Sequence, residues 1–151
     1  MNKKLQVKDI IKLCNGELIL GDEQTELGEF YKDTREVKDG CTYIGFKGEH
    51  HDGNLMYLDA LKNGAKVCIL QKASVESILN RDELKQNYGD RTIILVENSV
   101  KTIQELAKYK RSLYSIPVIG ITGSVGKTST KDIIASVMSK KYNTLKTLGN
   151  Y

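Results

Sequence analysis

The sequence predicts an α/β protein, because two kinds of pattern alternate along its 151 residues. Short runs rich in β-branched and aromatic residues are typical of buried strands. Between these runs, apolar residues recur every three or four positions, as they do in amphipathic helices. We therefore expect a small mixed-sheet N-terminal domain at residues 1–115. Residues 116–151 are expected to form the first β-loop-α-β unit of a second domain.

The first half of the chain is predicted to begin with a helix and continue with strands. Apolar residues at positions 7, 10, 11 and 14 lie on one helical face, and Asn15-Gly16 supplies a left-handed stop. A second helix is expected from position 55, with Leu58 and Leu61 facing inward and Gly64 as its cap. Strands are predicted at residues 17–20, 27–32, 41–46, 66–70 and 92–96.

The second half is predicted to contain the longest helix and a second, incomplete domain. Ser74 is expected to cap a helix that runs toward residue 80, and residues 81–90 are expected to form a weakly patterned connection. Asn98 or Ser99 should cap the longest helix, with apolar residues at positions 100, 103, 106, 107, 113 and 114. Pro117 stops this helix, so we place the domain boundary near Ser115.

The last unit is predicted as a strand at residues 118–121, a helix at residues 127–140 and a strand that starts at residues 144–147. One β-α-β unit cannot cover both faces of a parallel sheet. We therefore expect this part to be marginally stable alone, and the chain to be a segment of a longer protein.

Composition and charge exclude several classes of function. Lysine and arginine number 23 against 19 acidic residues, a net charge of +4 that is scattered along the chain, so nucleic-acid binding is not expected. The three cysteines, Cys14, Cys41 and Cys68, lack a metal-type spacing, which favours reduced, buried thiols. The apolar runs are too short to insert into a membrane, and residues 1–8 contain no secretory signal. A cytoplasmic location is therefore expected.

A glycine-rich loop precedes the last helix and carries the main functional prediction. Its sequence is a variant of the phosphate loop, because Ile121 stands where the common pattern has its first glycine. Backbone N–H groups in such a loop, with the helix N-terminus, form a cradle for phosphate groups. The residues predicted to bind ATP are Gly123, Ser124, Val125, Gly126, Lys127, Thr128 and Ser129.

Two residues of this loop have specific predicted roles, and a simpler interpretation stands beside them. Lys127 is predicted to reach the β- and γ-phosphates as the catalytic cation, and the Thr128 hydroxyl to bind Mg²⁺. The alternative is a strand-to-helix turn that contains Gly-Lys-Thr without binding a nucleotide.

Two shorter polar stretches are candidates for substrate contacts. Asp33, Thr34 and Arg35 follow a predicted strand, where the guanidinium suits a phosphate, although the residues alone favour a local Asp–Arg pair in a turn. Lys47-Gly48 follows another strand and suits a pyrophosphate, with a solvated loop as the alternative. The adjacent histidines at positions 50 and 51 lack the spacing of a metal site.

The chain resembles the Mur ligases over nearly all of its length. The resemblance is carried by residues 118–128, Lys131, the ending Lys146-Thr147-Leu148-Gly149-Asn150-Tyr151, and the earlier stretches Asp33-Thr34-Arg35, Lys38-Asp39-Gly40, Phe46-Lys47-Gly48-Glu49 and Asp52-Gly53. Mur ligases have three domains, and this chain stops just after the second begins. In the family, the stretch equivalent to residues 33–35 lies in the domain that holds the UDP part of the substrate, and Thr34 stands where serine is usual.

The resemblance implies an ATP-dependent, amide-forming ligase of peptidoglycan precursor synthesis. Its most similar members use ATP and Mg²⁺ to activate the terminal carboxylate of UDP-N-acetylmuramoyl-tripeptide as an acyl-phosphate, which D-alanyl-D-alanine then attacks. It also implies a UDP-binding role for Asp33, Thr34, Arg35, Lys47 and Gly48. A monomer is expected, and the 151 residues alone are not expected to turn over.

Three other functions remain open from the sequence. One is a sister ligase that adds a single amino acid, of the MurE type or related to folylpolyglutamate synthetase. Another is a stand-alone UDP-sugar-binding module without enzymatic activity. A generic phosphate-loop ATPase is the third.

Overall fold

The computed structural model describes residues 4–149 and divides the chain into two compact units, Met1–Tyr114 and Ser115–Tyr151. The predicted ending includes Asn150 and Tyr151, which lie outside the described residues. The helices are α1 Val7–Cys14, α2 Tyr57–Lys62, α3 Lys72–Val75, α4 Arg81–Tyr88, α5 Ser99–Ser112 and α6 Lys127–Met138. The strands are β1 Glu17–Leu20, β2 Phe30–Tyr31, β3 Thr42–Ile44, β4 Val67–Gln71 and β5 Thr92–Val96.

The first unit is built on one mixed sheet of five strands in the order β1-β5-β4-β3-β2. Strands β2 to β5 are parallel, and β1 pairs antiparallel with β5. This arrangement confirms the predicted α/β class and the mixed sheet. Because the parallel strands all run the same way, the loops that follow β2, β3 and β4 meet at one edge of the sheet.

Both faces of the sheet are covered, so β3, β5 and all of β4 except Gln71 are buried. On one face Tyr43, Cys68 and Leu70 pack with residues of α2 and α4. On the other, Ile44 and Ile69 pack with residues of α1 and α5. The alternation along β4 sends successive side chains to opposite cores, as expected for a strand buried on both faces.

The helix ends follow the sequence closely in two places. Asn15 closes α1 in the left-handed conformation, with φ 51°. At the start of α5, the Asn98 side chain accepts a hydrogen bond from the backbone N–H of Lys101, 2.9 Å away, so Asn98 rather than Ser99 is the cap.

Several predicted details of the first unit are wrong. Residues 81–88 form helix α4 rather than an irregular connection, with the Asn80 side chain as the cap. Ser74 lies within the short helix α3, where its hydroxyl contacts Asp52 instead of capping a helix. Leu58 and Val100 are exposed, because α2 and α5 turn other residues toward the core: Tyr57, Ala60 and Leu61 in α2, and Ser99, Thr102 and Leu106 in α5.

The second unit contains helix α6 but neither of its predicted strands. Residues 118–121 and 144–147 are not assigned as strands, and no strand pairing occurs between residues 115 and 149. A strand requires a neighbour to receive its backbone hydrogen bonds, and these two segments do not pair with each other. The predicted helix also ends two residues later than α6 does.

A search of residues 4–149 for a helix that is both long and apolar enough to cross a membrane finds none.

Candidate functional site

A pocket of about 560 Å³ lies in the first unit, among the loops that follow β2 and β3. It is lined by Lys32, Asp33, Thr34, Arg35, Tyr43, Phe46, Lys47, Gly48, His51, Gly53 and Met56. The five residues predicted to contact the UDP part of a substrate, Asp33, Thr34, Arg35, Lys47 and Gly48, therefore share one pocket. This is the edge of a parallel sheet where ligands commonly bind.

Asp33 and Arg35 form a tight local pair on one wall of this pocket. The Arg35 Nε donates to Asp33 Oδ1 at 2.9 Å, and Nη2 donates to Oδ2 at 2.6 Å. Asp33 also caps the turn Thr34–Glu36 by accepting from the Arg35 backbone N–H at 3.0 Å. These hydrogen bonds from Arg35 lower the pKa of Asp33 to about 2. The Arg35 side chain remains 86% exposed, so the local pair and a ligand contact are compatible.

The opposite wall is the loop that follows β3. The backbone N–H of Gly48 donates to the carbonyl of His51 at 2.9 Å, which closes a turn beside Lys47. Tyr43 is buried in β3 and donates its hydroxyl to the Gly53 carbonyl at 2.6 Å. Burial raises the pKa of Tyr43 to about 12, so the phenol stays neutral and keeps this bond.

Sequence reasoning missed several residues of this pocket. Tyr43, Phe46 and Met56 line it, although the sequence predicts a strand at Tyr43 and Phe46 and a helix at Met56, with no ligand contact for any of them. For Phe46 a signal was available in the sequence: it directly precedes Lys47 in the short loop that follows β3. No charged or glycine-rich pattern marked Tyr43.

The glycine loop of the second unit joins residue 121 to the start of α6. Gly123 and Gly126 adopt left-handed conformations, with φ 151° and 80°, and a Cβ on Gly126 would meet no atom within 4 Å. Gly126 is the N-cap of α6 and has no side chain that could cap the helix. All residues from 122 to 130 are exposed. These positions include the predicted ATP ligands Ser124, Val125, Lys127, Thr128 and Ser129.

Lys127 lies across this loop rather than pointing away from it. Its Nζ donates to the carbonyl oxygen of Gly123, four residues earlier. An ammonium in this position is close to the backbone groups that would surround an anion. The loop geometry is therefore compatible with a phosphate cradle.

The segment after α6 is tied to that helix by two lysines. Lys131 Nζ donates to the Thr147 carbonyl at 2.8 Å, and Lys146 Nζ pairs with Asp132 at 2.7 Å. The bond from Lys146 lowers the pKa of Asp132. Lys131 and Lys146 are both part of the family-like pattern, and here they hold residues 146 and 147 beside the helix.

Within residues 4–149, no group of three or more His, Cys, Asp or Glu side chains is arranged to hold a metal ion. The adjacent His50 and His51 are therefore not part of such a group.

These features define a class of protein: an α/β chain with a pocket at the carboxyl edge of its sheet and a glycine loop at the start of a separate helix. Residues 121–151 match the Mur ligase middle domain. The UDP-N-acetylmuramoyl-tripeptide--D-alanyl-D-alanine ligase of Synechocystis is 33% identical over 155 aligned positions, which cover 100% of this chain and 32% of the relative.

Two further comparisons agree with this match. The crystal structure of MurF ligase from Thermotoga maritima in complex with ADP is 35% identical, with a TM-score of 0.64 over 82% of this chain and 26% of that one. A UDP-N-acetylmuramoyl-L-alanyl-D-glutamate--2,6-diaminopimelate ligase of Clostridium perfringens is 30% identical over 137 positions, 89% of this chain and 26% of the relative. The chain belongs to the Mur ligase family. It spans about a third or less of the length of the relatives it matches.

Proposed function

We propose that this chain is part of an ATP-dependent ligase that joins D-alanyl-D-alanine to UDP-N-acetylmuramoyl-tripeptide. The observation that carries the proposal is the pocket of the first unit, which brings together all five residues expected to contact the UDP group. The family match, the relatives named as D-alanyl-D-alanine ligases and the relative solved with ADP support it.

In this proposal the first unit holds the UDP part of the substrate. Arg35 and Lys47 supply positive charge for the pyrophosphate, and the bare backbone at Gly48 allows it to approach closely. Asp33 orients Arg35 through the bidentate pair, so the guanidinium presents its outer N–H groups toward the pocket. The Thr34 hydroxyl is a further hydrogen-bond donor on the same wall.

The glycine loop binds ATP in the same proposal. When bound, ATP supplies the phosphoryl group that activates a carboxylate, and Mg²⁺ neutralises its phosphate oxygens. Lys127, whose Nζ donates to the Gly123 carbonyl in this structure, would contact the phosphate oxygens together with the backbone N–H groups of residues 123–126. The Thr128 hydroxyl, at the start of α6, would provide a magnesium ligand.

The test is the substrate dependence of ATP hydrolysis by the longer gene product. We expect phosphate release only when UDP-N-acetylmuramoyl-tripeptide and D-alanyl-D-alanine are both present, with Lys127→Ala abolishing it. We expect the 151-residue chain by itself to bind ligands without turnover. Ligase activity from the 151 residues alone would contradict the expectation that this chain binds ligands without turnover.

Because one relative is a diaminopimelate ligase, the second candidate function is the addition of a single amino acid. In that case diaminopimelate or lysine with the UDP-muramoyl-dipeptide, rather than D-alanyl-D-alanine with the tripeptide, stimulates phosphate release. A binding module without catalysis would bind the UDP-muramoyl peptide but release no phosphate with any substrate, and Lys127→Ala in the longer gene product would leave its function intact.

A further inference from the structure

The loop between β3 and the turn Gly53–Met56, residues 45–53, is called the pocket loop here because it forms one wall of the pocket. Its backbone is joined to the sheet at its start, where the Gly45 N–H donates to the Ile69 carbonyl at 3.0 Å. Within the loop, the N–H groups of Gly48 and Gly53 donate to the carbonyls of His51 and Phe46, each at 2.9 Å. These internal bonds shape the loop but do not fix it against the rest of the unit.

The Tyr43 hydroxyl joins the loop to β3 through the Gly53 carbonyl, and a buried amide next to the loop adds a connection to β4. Asn54 has no exposed surface, and its Oδ1 accepts a hydrogen bond from the Gln71 backbone N–H at the end of β4, 2.8 Å away. Its Nδ2 donates to Asp52 Oδ1 at 2.7 Å. The packing around it is tight, because a Cβ added to Gly45 would lie 2.4 Å from Asn54 Oδ1.

Asp52 extends this connection to helix α3. Its Oδ2 accepts a hydrogen bond from the Ser74 hydroxyl at 2.7 Å, and its Oδ1 accepts from the Asn54 backbone N–H at 2.9 Å. Burial opposes the charge on Asp52, yet the hydrogen bonds from Ser74 and Asn54 keep its pKa below the ordinary value. Ser74 is 22 positions away from Asp52 in sequence, so this contact is tertiary.

These three side chains are absent from the lining of the pocket, whereas Phe46, Lys47, Gly48, His51 and Gly53 line it. Ser74 and Asn54 are neutral and do not line the pocket, so they act on a ligand through the position of the pocket loop. We propose that Asn54, Asp52 and Ser74 form a positioning network, and that the affinity of the pocket for a uridine diphosphate group depends on it. The identity of the ligand rests on the proposed function, whereas the effect on the loop does not.

The sharpest perturbation removes one hydroxyl at the far end of the network. Ser74→Ala deletes the donor to Asp52 without touching the pocket, and Ser74→Thr restores a hydroxyl at a half-buried position. Ser77→Ala is the matched control, because Ser77 is exposed and lies three residues further along, in the turn that follows α3. Two measurements on the 151-residue chain are needed: amide hydrogen exchange without ligand, and calorimetric titration with UDP.

A hydrogen bond to a charged group of this kind corresponds to about a tenfold effect. We expect Ser74→Ala to speed exchange at the Gly48 and Gly53 amides about tenfold, while the amides of residues 67–70 in β4 and of β5, which do not bond to the network, stay protected. We also expect it to raise the dissociation constant for UDP about five- to tenfold. Ser74→Thr should restore both values toward wild type, and Ser77→Ala should change neither.

Each alternative outcome is decisive. If exchange speeds up uniformly across the first unit, the network is merely structural and the positioning role is wrong. If the pocket loop loosens and UDP affinity does not change, the affinity part is wrong. If wild-type protein fails to bind UDP, the proposed function fails, and the exchange data alone still decide whether the network holds the loop.

Discussion

Replacing Tyr43 with phenylalanine should change the stability of the first unit in opposite directions at neutral and alkaline pH. At pH 7 the tyrosine is neutral and its hydroxyl donates to the Gly53 carbonyl at 2.6 Å. Phenylalanine fills the same space and cannot make this bond. We expect Tyr43→Phe to lower the free energy of unfolding by about 1 kcal/mol at this pH.

The alkaline effect follows from the raised pKa of the same phenol. Burial raises the pKa of Tyr43 from 10.0 to about 12, so between these values the folded state binds a proton that the unfolded state has released. The contribution is complete below pH 10 and is lost as the pH rises toward 12. Two pH units at about 1.4 kcal/mol each give a loss of roughly 3 kcal/mol, which the phenylalanine variant does not suffer.

The assay is urea unfolding followed by far-ultraviolet circular dichroism at a series of pH values from 7 to 12. Lysines and other tyrosines titrate in both proteins, so their effects cancel in the difference between wild type and variant. We expect wild type to be the more stable at pH 7 and the variant to be the more stable near pH 12. Tyr142→Phe, at an exposed position of the second unit, is the control and should show no crossing. A stability difference that stays constant from pH 7 to 12 would refute the reasoning.

Three further predictions concern the two candidate sites. Lys127→Ala should weaken ADP binding at least tenfold, because a charged hydrogen-bond donor to the phosphates is lost; calorimetry that finds unchanged affinity contradicts the phosphate-cradle interpretation. Gly126→Ala should weaken ADP binding several-fold, because a residue with a side chain loses about 1 kcal/mol at a φ of 80°. Gly120→Ala should not weaken it, because Gly120 lies in open space and has no positive φ. Arg35→Ala should weaken UDP binding and move the midpoint of the Asp33 carboxyl in a proton NMR titration from about 2 toward 3.8; an unmoved midpoint means that Arg35 does not hold the carboxylate.

Local sequence signals sufficed wherever a structure depends on neighbouring residues. The apolar spacing in residues 7–14 and the Asn15 stop gave helix α1 with its observed ends. The runs at residues 66–70 and 92–96 gave β4 and β5, because strands buried on both faces are apolar at almost every position. Helix α4 was missed because only Leu84 of its eight residues is buried, which leaves little periodic signal.

The same distinction between local sequence and tertiary contacts applies to the two candidate sites. The glycine loop and the Asp33–Arg35 pair are local, and their residues were identified directly from spacing. The pocket as a whole depends on β2 and β3 being neighbours, which brings residues 33–35 and 46–48 to one edge. The contact of Ser74 with Asp52 joins positions 22 apart, and nothing in either local sequence indicates it.

The second unit shows which structures form from local sequence when strand partners are missing from the described residues. Its helix and its glycine turn have formed, because a helix bonds within itself and a left-handed glycine needs no neighbour. Its strands have not, since each requires a ladder, and their residues Val118 and Ile119 are 68% and 57% exposed. On α6, Ile133 and Val137 lie one turn apart and are exposed as well. The geometry of the loop is therefore set by local residues, whereas strands at residues 118–121 and 144–147 would need partner strands that residues 115–149 do not supply.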